Sequence, residues 1–231
     1  MNSKLIIALD FDDQYKTLKM VDSLNPDKCH LKIGSELFTR FGPQLVQKII
    51  SKGYRIFLDL KFHDIPNTVA ASCKAAADLG VWMFNVHATG GPLMLESAVS
   101  ALSGYGHDKP ILIAVTILTS IDDNQYDAIG FNKTISQQAH QLAALAKSSG
   151  LDGVVCSALD VKDIKQDFGK HFMAVTPGIR PLNSELNDQN RVMTPREAVE
   201  EGSDYLVVGR PVTRASNPQA MVDQILLSMG Y

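Results

Sequence analysis

The chain has 231 residues, 45% hydrophobic and 20% charged, with a formal net charge of −3. That is an ordinary globular balance, long enough for one α/β barrel or two small domains and not basic enough for a nucleic-acid surface. Three cysteines, Cys29, Cys73 and Cys156, are an odd number without Cys-x-x-Cys spacing, which fits buried thiols in a reducing compartment better than disulfides or zinc. The apolar run at 5–9 stops at Asp10, short of a signal-peptide core, and the run at 111–118 is far below a membrane span. The expectation is a soluble cytoplasmic protein with no nucleic-acid or membrane partner.

In chain order, β-branched runs alternate with helix-period segments. Strands are predicted at 5–9, 30–34, 55–61, 83–87, 111–116, 153–157, 172–177 and 205–209. Amphipathic stretches separate them, such as Leu45/Ile49 and Val46/Ile50 at i, i+4 spacing. Gly53, Gly80, Gly150 and Gly230 mark helix stops. Thr194-Pro195-Arg196-Glu197 has the register of a capping box with Pro at the first helical position, and Asn217-Pro218 opens the last helix similarly. Eight units of about 29 residues each suit βα repeats. A doubly wound sheet would normally have fewer strands and a Gly-rich turn after the first, whereas this one ends in Asp10-Phe11-Asp12-Asp13. The expected fold is therefore an α/β protein, a single-domain (β/α)8 TIM barrel over 1–231. Residues 176–193 lack helix or strand pattern, and a loop that long inside a compact domain is usually a functional lid.

Barrel enzymes work at the C-terminal ends of their strands. Asp10 ends the first, Lys32 lies within the second, Asp59 and Lys61 end the third, His87 the fourth and Arg210 follows the eighth. Strand alternation puts Phe57, Asp59 and Lys61 on one face and Ile56, Leu58 and Leu60 on the other, so two opposite charges point into the barrel mouth. Burying either alone would cost several kcal/mol; Lys32 and Asp64 can supply partners. Asp12 reads as a turn former or helix cap, and His63 and His87 as packed, hydrogen-bonded histidines.

Pro177-Gly178-Ile179-Arg180 follows strand seven and Val208-Gly209-Arg210-Pro211 follows strand eight, the two loops where barrels commonly hold phosphate. Each pairs a glycine, which lets the backbone approach, with a guanidinium fork suited to phosphate oxygens. The sequence has no Gly-x-Ser-x-Gly elbow, Walker loop, Gly-x-Gly-x-x-Gly or His-Glu-x-x-His.

Asp59-x-Lys61-x-x-Asp64-Ile65-Pro66-Asn67-Thr68 resembles the signature of the orotidine 5′-phosphate decarboxylase family. The resemblance continues, in order over essentially the whole chain, through Leu31-Lys32-Ile33-Gly34, Thr116-Ile117-Leu118-Thr119-Ser120, Thr176-Pro177-Gly178-Ile179-Arg180-Pro181 and Val208-Gly209-Arg210-Pro211. It implies conversion of orotidine 5′-phosphate to UMP and CO2 in pyrimidine biosynthesis by a homodimer that needs neither metal nor organic cofactor. It implies Lys61 as proton donor to C6, within a charge network completed by Lys32, Asp59 and the Asp64 of a second subunit. Asp10, Lys32 and Thr68 would address the ribose side, Thr119 and Ser120 the pyrimidine, and Arg180, Gln189, Gly209 and Arg210 the phosphate, with Gln189 on the long loop.

Two other readings compete. Sugar-phosphate decarboxylases and aldolases share Asp-x-Lys-x-x-Asp, but they use magnesium and commonly carry a carboxylate where this chain has Lys32. A non-catalytic barrel that binds a phosphorylated ligand would account for Arg180 and Arg210, yet gives no reason to bury Lys61 between two aspartates.

Overall fold

A computed structural model describes residues 3–181 and 193–230. Eight parallel strands close into a barrel in sequence order, the last pairing with the first. The elements are β1 (Leu5–Ala8), α1 (Gln14–Asp22), β2 (His30–Gly34), α2 (Ser35–Ile50), β3 (Ile56–Phe62), α3 (Pro66–Asp78), β4 (Met83–His87), α4 (Pro92–Ala101) and β5 (Ile111–Val115). The second half adds α5 (Asp123–Ile129), α6 (Ile135–Ser148), β6 (Gly153–Val155), α7 (Val161–Phe168), β7 (Met173–Thr176), α8 (Pro195–Glu200), β8 (Tyr205–Val208), α9 (Arg210–Thr213) and α10 (Pro218–Ser228). All eight expected strands are present, most one or two residues shorter than the apolar runs. A run continues as long as its side chains are buried; the ladder stops where hydrogen bonding stops.

The period-two pattern divides the core into two layers. Leu5, Ile7, Leu31, Ile33, Ile56, Leu58, Phe84 and Val86 face the helices, whereas Ile6, Ala8, Phe57, Met83, Ile113, Val175 and Val207 fill the barrel interior. At the N-terminal end of the strands, His30 packs on Trp82 and Tyr205, with ring centroids 4.4 and 6.1 Å away. With the middle filled by side chains and this end sealed by rings, the C-terminal end is left to hold a cavity.

Local signals act where the sequence places them. Gly53, Gly80, Gly150 and Gly230 all have positive φ. Thr194 and Glu197 form the reciprocal capping box, and the Asn217 side chain accepts from the Ala220 N–H. The cap of α1 is Asp13, not Asp12: the Asp13 carboxylate accepts from Lys16 N–H at 2.7 Å. One residue decides which carboxylate reaches the free amide.

A larger departure concerns β3. Leu58 pairs with Phe84 while Phe62 pairs with Val86, so four residue steps along β3 match two along β4. Lys61, at φ 53°, is the one non-glycine residue with positive φ among the described residues. Simple alternation therefore ends at Asp59, and the backbone bulges and turns left-handed to present Lys61.

Candidate active site

The bulge lies at the rim of a cavity of about 620 Å³ at the C-terminal end of the barrel, within the range typical of small-molecule sites. Its apolar wall comes from the strands and the residues that follow them, Ala8, Phe57, Val115, Ile117, Val155 and Val207 among them. Its polar lining includes Asp10, Lys32, Asp59, Lys61, Thr119, Ser120, Gly178, Arg180, Gly209 and Arg210. The fold thus gathers in one place ten residues that are scattered from position 10 to position 210 of the chain.

Four of them form an alternating row of charge. Asp10 Oδ1 lies 3.3 Å from Lys32 Nζ, Lys32 Nζ lies 3.2 Å from Asp59 Oδ2, and Asp59 Oδ1 lies 2.6 Å from Lys61 Nζ. Burial alone would raise the Asp59 carboxyl, but the Lys32 and Lys61 ammonium groups, with hydrogen bonds from Lys61 and Asn85, outweigh it and hold it below the usual carboxylate range. Burial likewise works against the Lys32 charge, yet Asp59 and Asp10 hold its ammonium above the ordinary lysine value. Asp59 therefore stays an anion and Lys32 a cation at neutral pH. Both ends of the row are open to solvent, and at the Lys61 end 34% of the side chain is accessible, where it lines the cavity.

Across the cavity, the segments after β7 and β8 bring Arg180 and Arg210 to the same mouth. Gly178 has φ 77°, a turn that suits glycine, and the Arg180 N–H donates to Met193 O at 3.0 Å, tying the two ends of the long loop together. A Cβ on Gly209 would meet Ala8 Cβ at 3.5 Å and Asp10 Oδ2 at 3.7 Å, so this strand end packs closely on the first.

Two expected site residues are placed elsewhere. Asp64 and Thr68 are exposed around the start of α3 and do not line the cavity. Asp64 Oδ1 accepts from Ile65 N–H at 2.6 Å, and Asp64 makes no ion pair with Lys32 or Lys61 of its own chain. Gln189, and the segment 182–192 expected to serve as a lid, lie outside the described residues. His63 and His87 stack at 5.4 Å near Lys61, and His87 Nδ1 is 2.8 Å from Thr89 Oγ1. Burial, then His63 and Lys61, hold the His87 imidazole below its ordinary value.

Three polar contributors escaped the sequence reading. Thr213 and Arg214 join the lining from the end of α9, a helix that the sequence reading did not place. Asn85 of β4 is fully buried, donates from Nδ2 to Asp59 Oδ1 at 2.8 Å, and accepts the Lys61 backbone N–H at Oδ1, also at 2.8 Å. A signal was available: Met83-Phe84-Asn85-Val86 sets one polar side chain in an apolar strand, on the face that alternation turns inward. Among the described residues no group of three or more His, Cys, Asp or Glu side chains is arranged to hold a metal ion, and no helix is long and apolar enough to cross a membrane.

Together the barrel, the two Gly/Arg segments and the buried charge row define the class: a TIM-barrel protein with a polar mouth lined by two arginines and built around a lysine. Residues 3–225 match the model of the orotidine 5′-phosphate decarboxylase / HUMPS family, and the chain belongs to that family. It is 56% identical over 226 residues to the orotidine 5′-phosphate decarboxylase of Legionella pneumophila (strain Paris), covering 98% of this chain and 99% of that protein. It is 53% identical over 224 residues to the enzyme of that name from Pseudoalteromonas translucida (strain TAC 125), covering 97% and 96%. The crystal structure of orotidine 5′-phosphate decarboxylase from Lactobacillus acidophilus superposes with a TM-score of 0.88 at 41% identity, covering the whole of both chains.

Proposed function

We propose that this chain, a single-domain barrel, decarboxylates orotidine 5′-phosphate to UMP and CO2 in pyrimidine biosynthesis, with neither metal nor organic cofactor. The observation that carries the reading is the Asp10–Lys32–Asp59–Lys61 row, which ends in an ammonium at the cavity. Full-length similarity to proteins bearing that name supports the substrate. Lys32 in the row also favours this reading over a magnesium-dependent sugar-phosphate enzyme, because a cation there occupies the place of a metal-binding carboxylate.

In this reading Arg180, Gly209 and Arg210, with Gln189, hold the phosphate. Asp10, Lys32 and Thr68 address the ribose, while Thr119 and Ser120 address the pyrimidine. The ring is then fixed with C6 towards Lys61. The C6–carboxylate bond breaks, CO2 leaves, and the electron pair stays on C6 in the ring plane, where the π system cannot delocalise it. Lys61 Nζ delivers its proton to C6, giving UMP, and regains a proton from water. With no organic electron sink, charge stabilisation falls to the protein.

Magnitudes decide which part of the row matters most. Repulsion between Asp59 and the substrate carboxylate, relieved as CO2 departs, is worth about 4 kcal/mol at ~4 Å and an effective dielectric of ~20. Enzymes lower barriers by about 8–23 kcal/mol, so repulsion alone is too small. The Lys61 ammonium interacts more strongly as negative charge builds on C6, and an interaction that grows towards the transition state raises turnover directly. Lys32 keeps Asp59 ionised, and Asp59 aims Lys61.

Asp64 enters as a group from a second subunit of a homodimer. Its exposure, beside Ile65 at 67% exposed at the entry to α3, with Leu93 at 70% on the adjoining α4, supports a partner on this face. A cytoplasmic location accords with the reaction's place in metabolism. The test is purified protein mixed with orotidine 5′-phosphate in EDTA, followed by the loss of pyrimidine absorbance. Turnover undiminished by chelator is expected; turnover only with added magnesium, or tight binding without CO2 release, would favour the rival readings.

A further inference from the structure

We propose that Asn85 is a positioning residue for the reaction, holding Lys61 in its left-handed conformation so that the ammonium, rather than the chain beyond it, faces the reacting carbon. The inference rests on the decarboxylase reading above and extends it to a residue on a neighbouring strand. Lys61 is the single non-glycine residue at positive φ among the described residues, a conformation that L side chains disfavour because Cβ crowds the following carbonyl oxygen. It also falls in the β3 bulge, where the ladder to β4 slips, so its N–H lacks the regular ladder partner. Asn85 supplies one: its Oδ1 accepts that N–H at 2.8 Å, from a side chain with no solvent exposure.

The same amide has a second task. Its Nδ2 donates at 2.8 Å to Asp59 Oδ1, the oxygen that Lys61 Nζ contacts at 2.6 Å. Backbone N–H, amide, carboxylate and ammonium thus form a closed ring that starts and ends on Lys61. Fixing both ends of the lysine leaves its side chain few ways to point, and that is the condition for a pre-organised charge. Strain confined to one residue and satisfied by one buried amide is a pattern that functional sites show. Asn85 touches neither the proton in flight nor C6, so its effect passes through Lys61 and Asp59.

Two variants separate positioning from mere support. Asn85→Leu keeps the volume and removes both hydrogen bonds; Asn85→Asp keeps an acceptor for the Lys61 N–H and removes the donor to Asp59. For each, kcat on orotidine 5′-phosphate, the affinity for UMP by calorimetry, and Tm would be measured against wild type. UMP is gripped through phosphate and ribose and carries no charge at C6, so its binding reports the rest of the site. The expected result is a fall in kcat of about 100-fold or more, the scale of a misplacement near 1 Å, with UMP affinity within about threefold. Either folded variant keeping kcat within about threefold of wild type would overturn the role. So would a parallel collapse of kcat and UMP affinity, or failure of both variants to fold, since each marks Asn85 as general support. An inactive wild-type control would instead sink the decarboxylase reading and this inference with it.

Discussion

At the level of single residues, two opposite buried charges face each other beneath the cavity. Asp59 and Lys32 are each about nine-tenths buried, and each would be costly without the other. Removing Lys32 should therefore do more than weaken ribose contacts: Lys32→Ala would leave Asp59 with Lys61 as its sole cation and draw that ammonium deeper. A fall in kcat of about 100-fold or more is expected in steady-state assays, and a change confined to KM would argue that Lys32 only binds substrate. His30, at the opposite end of the barrel, shows how burial acts on an unpaired titratable group. Desolvation first, then the Arg55 guanidinium, push its imidazole down to about 4 from an ordinary 6.5. Between those values the unfolded chain holds a proton that the folded one refuses, so stability is intact above pH 6.5 and declines as pH falls towards 4. That share amounts to about 3 kcal/mol. His30→Phe, which keeps the ring stack, should flatten the pH dependence of urea unfolding by roughly that amount; unchanged slopes would contradict it.

At the level of elements, the barrel depends on strands of unequal length meeting in register. β6 has three residues, and its Gly153 packs so tightly on β7 that an added Cβ would lie 2.3 Å from Met173 O. Backbone cannot retreat as a flexible side chain can, so Gly153→Ala should destabilise the fold by about 1–3 kcal/mol, read as a lowered urea midpoint; an unchanged midpoint would contradict this close approach. The strands were legible because an all-parallel barrel buries both faces of each strand, which leaves apolar runs that loops and helices do not imitate. Capping was legible at Thr194 and Asn217 for a similarly local reason. The β3 bulge was not. Asp59-Leu60-Lys61 reads as plain alternation, and only pairing with β4 reveals two surplus residues and a left-handed lysine. Asn85 was missed for the same cause: its importance lies in what a bulge on another strand leaves unsatisfied. Charges at strand ends are a one-dimensional signal, whereas the amide that orients them is a tertiary one.

At the level of the whole molecule, the cavity of one chain does not take in every residue expected at the site. Asp64 and Thr68 lie at the start of α3, outside the cavity of their own chain. If both serve a neighbouring site, Lys61→Ala and Asp64→Ala chains, each inactive alone, should complement when mixed and allowed to exchange subunits. Half the dimers would then be mixed and each would carry one intact site of two, so about a quarter of wild-type activity should return. No recovery, or sedimentation of a fully active monomer, would exclude a shared site. The two arginines and the charge row are contributed by opposite halves of the barrel, Arg180 and Arg210 by the second and Asp10 to Lys61 by the first. Binding energy gathered at one half can thus orient chemistry at the other. The most direct test is Lys61→Ala, assayed for single turnover of orotidine 5′-phosphate and for UMP binding in the same preparation. Turnover reduced by about 1,000-fold or more, the upper range for losing a group that both transfers a proton and stabilises charge, is expected alongside nearly unchanged UMP affinity. Near-normal turnover would contradict a catalytic Lys61.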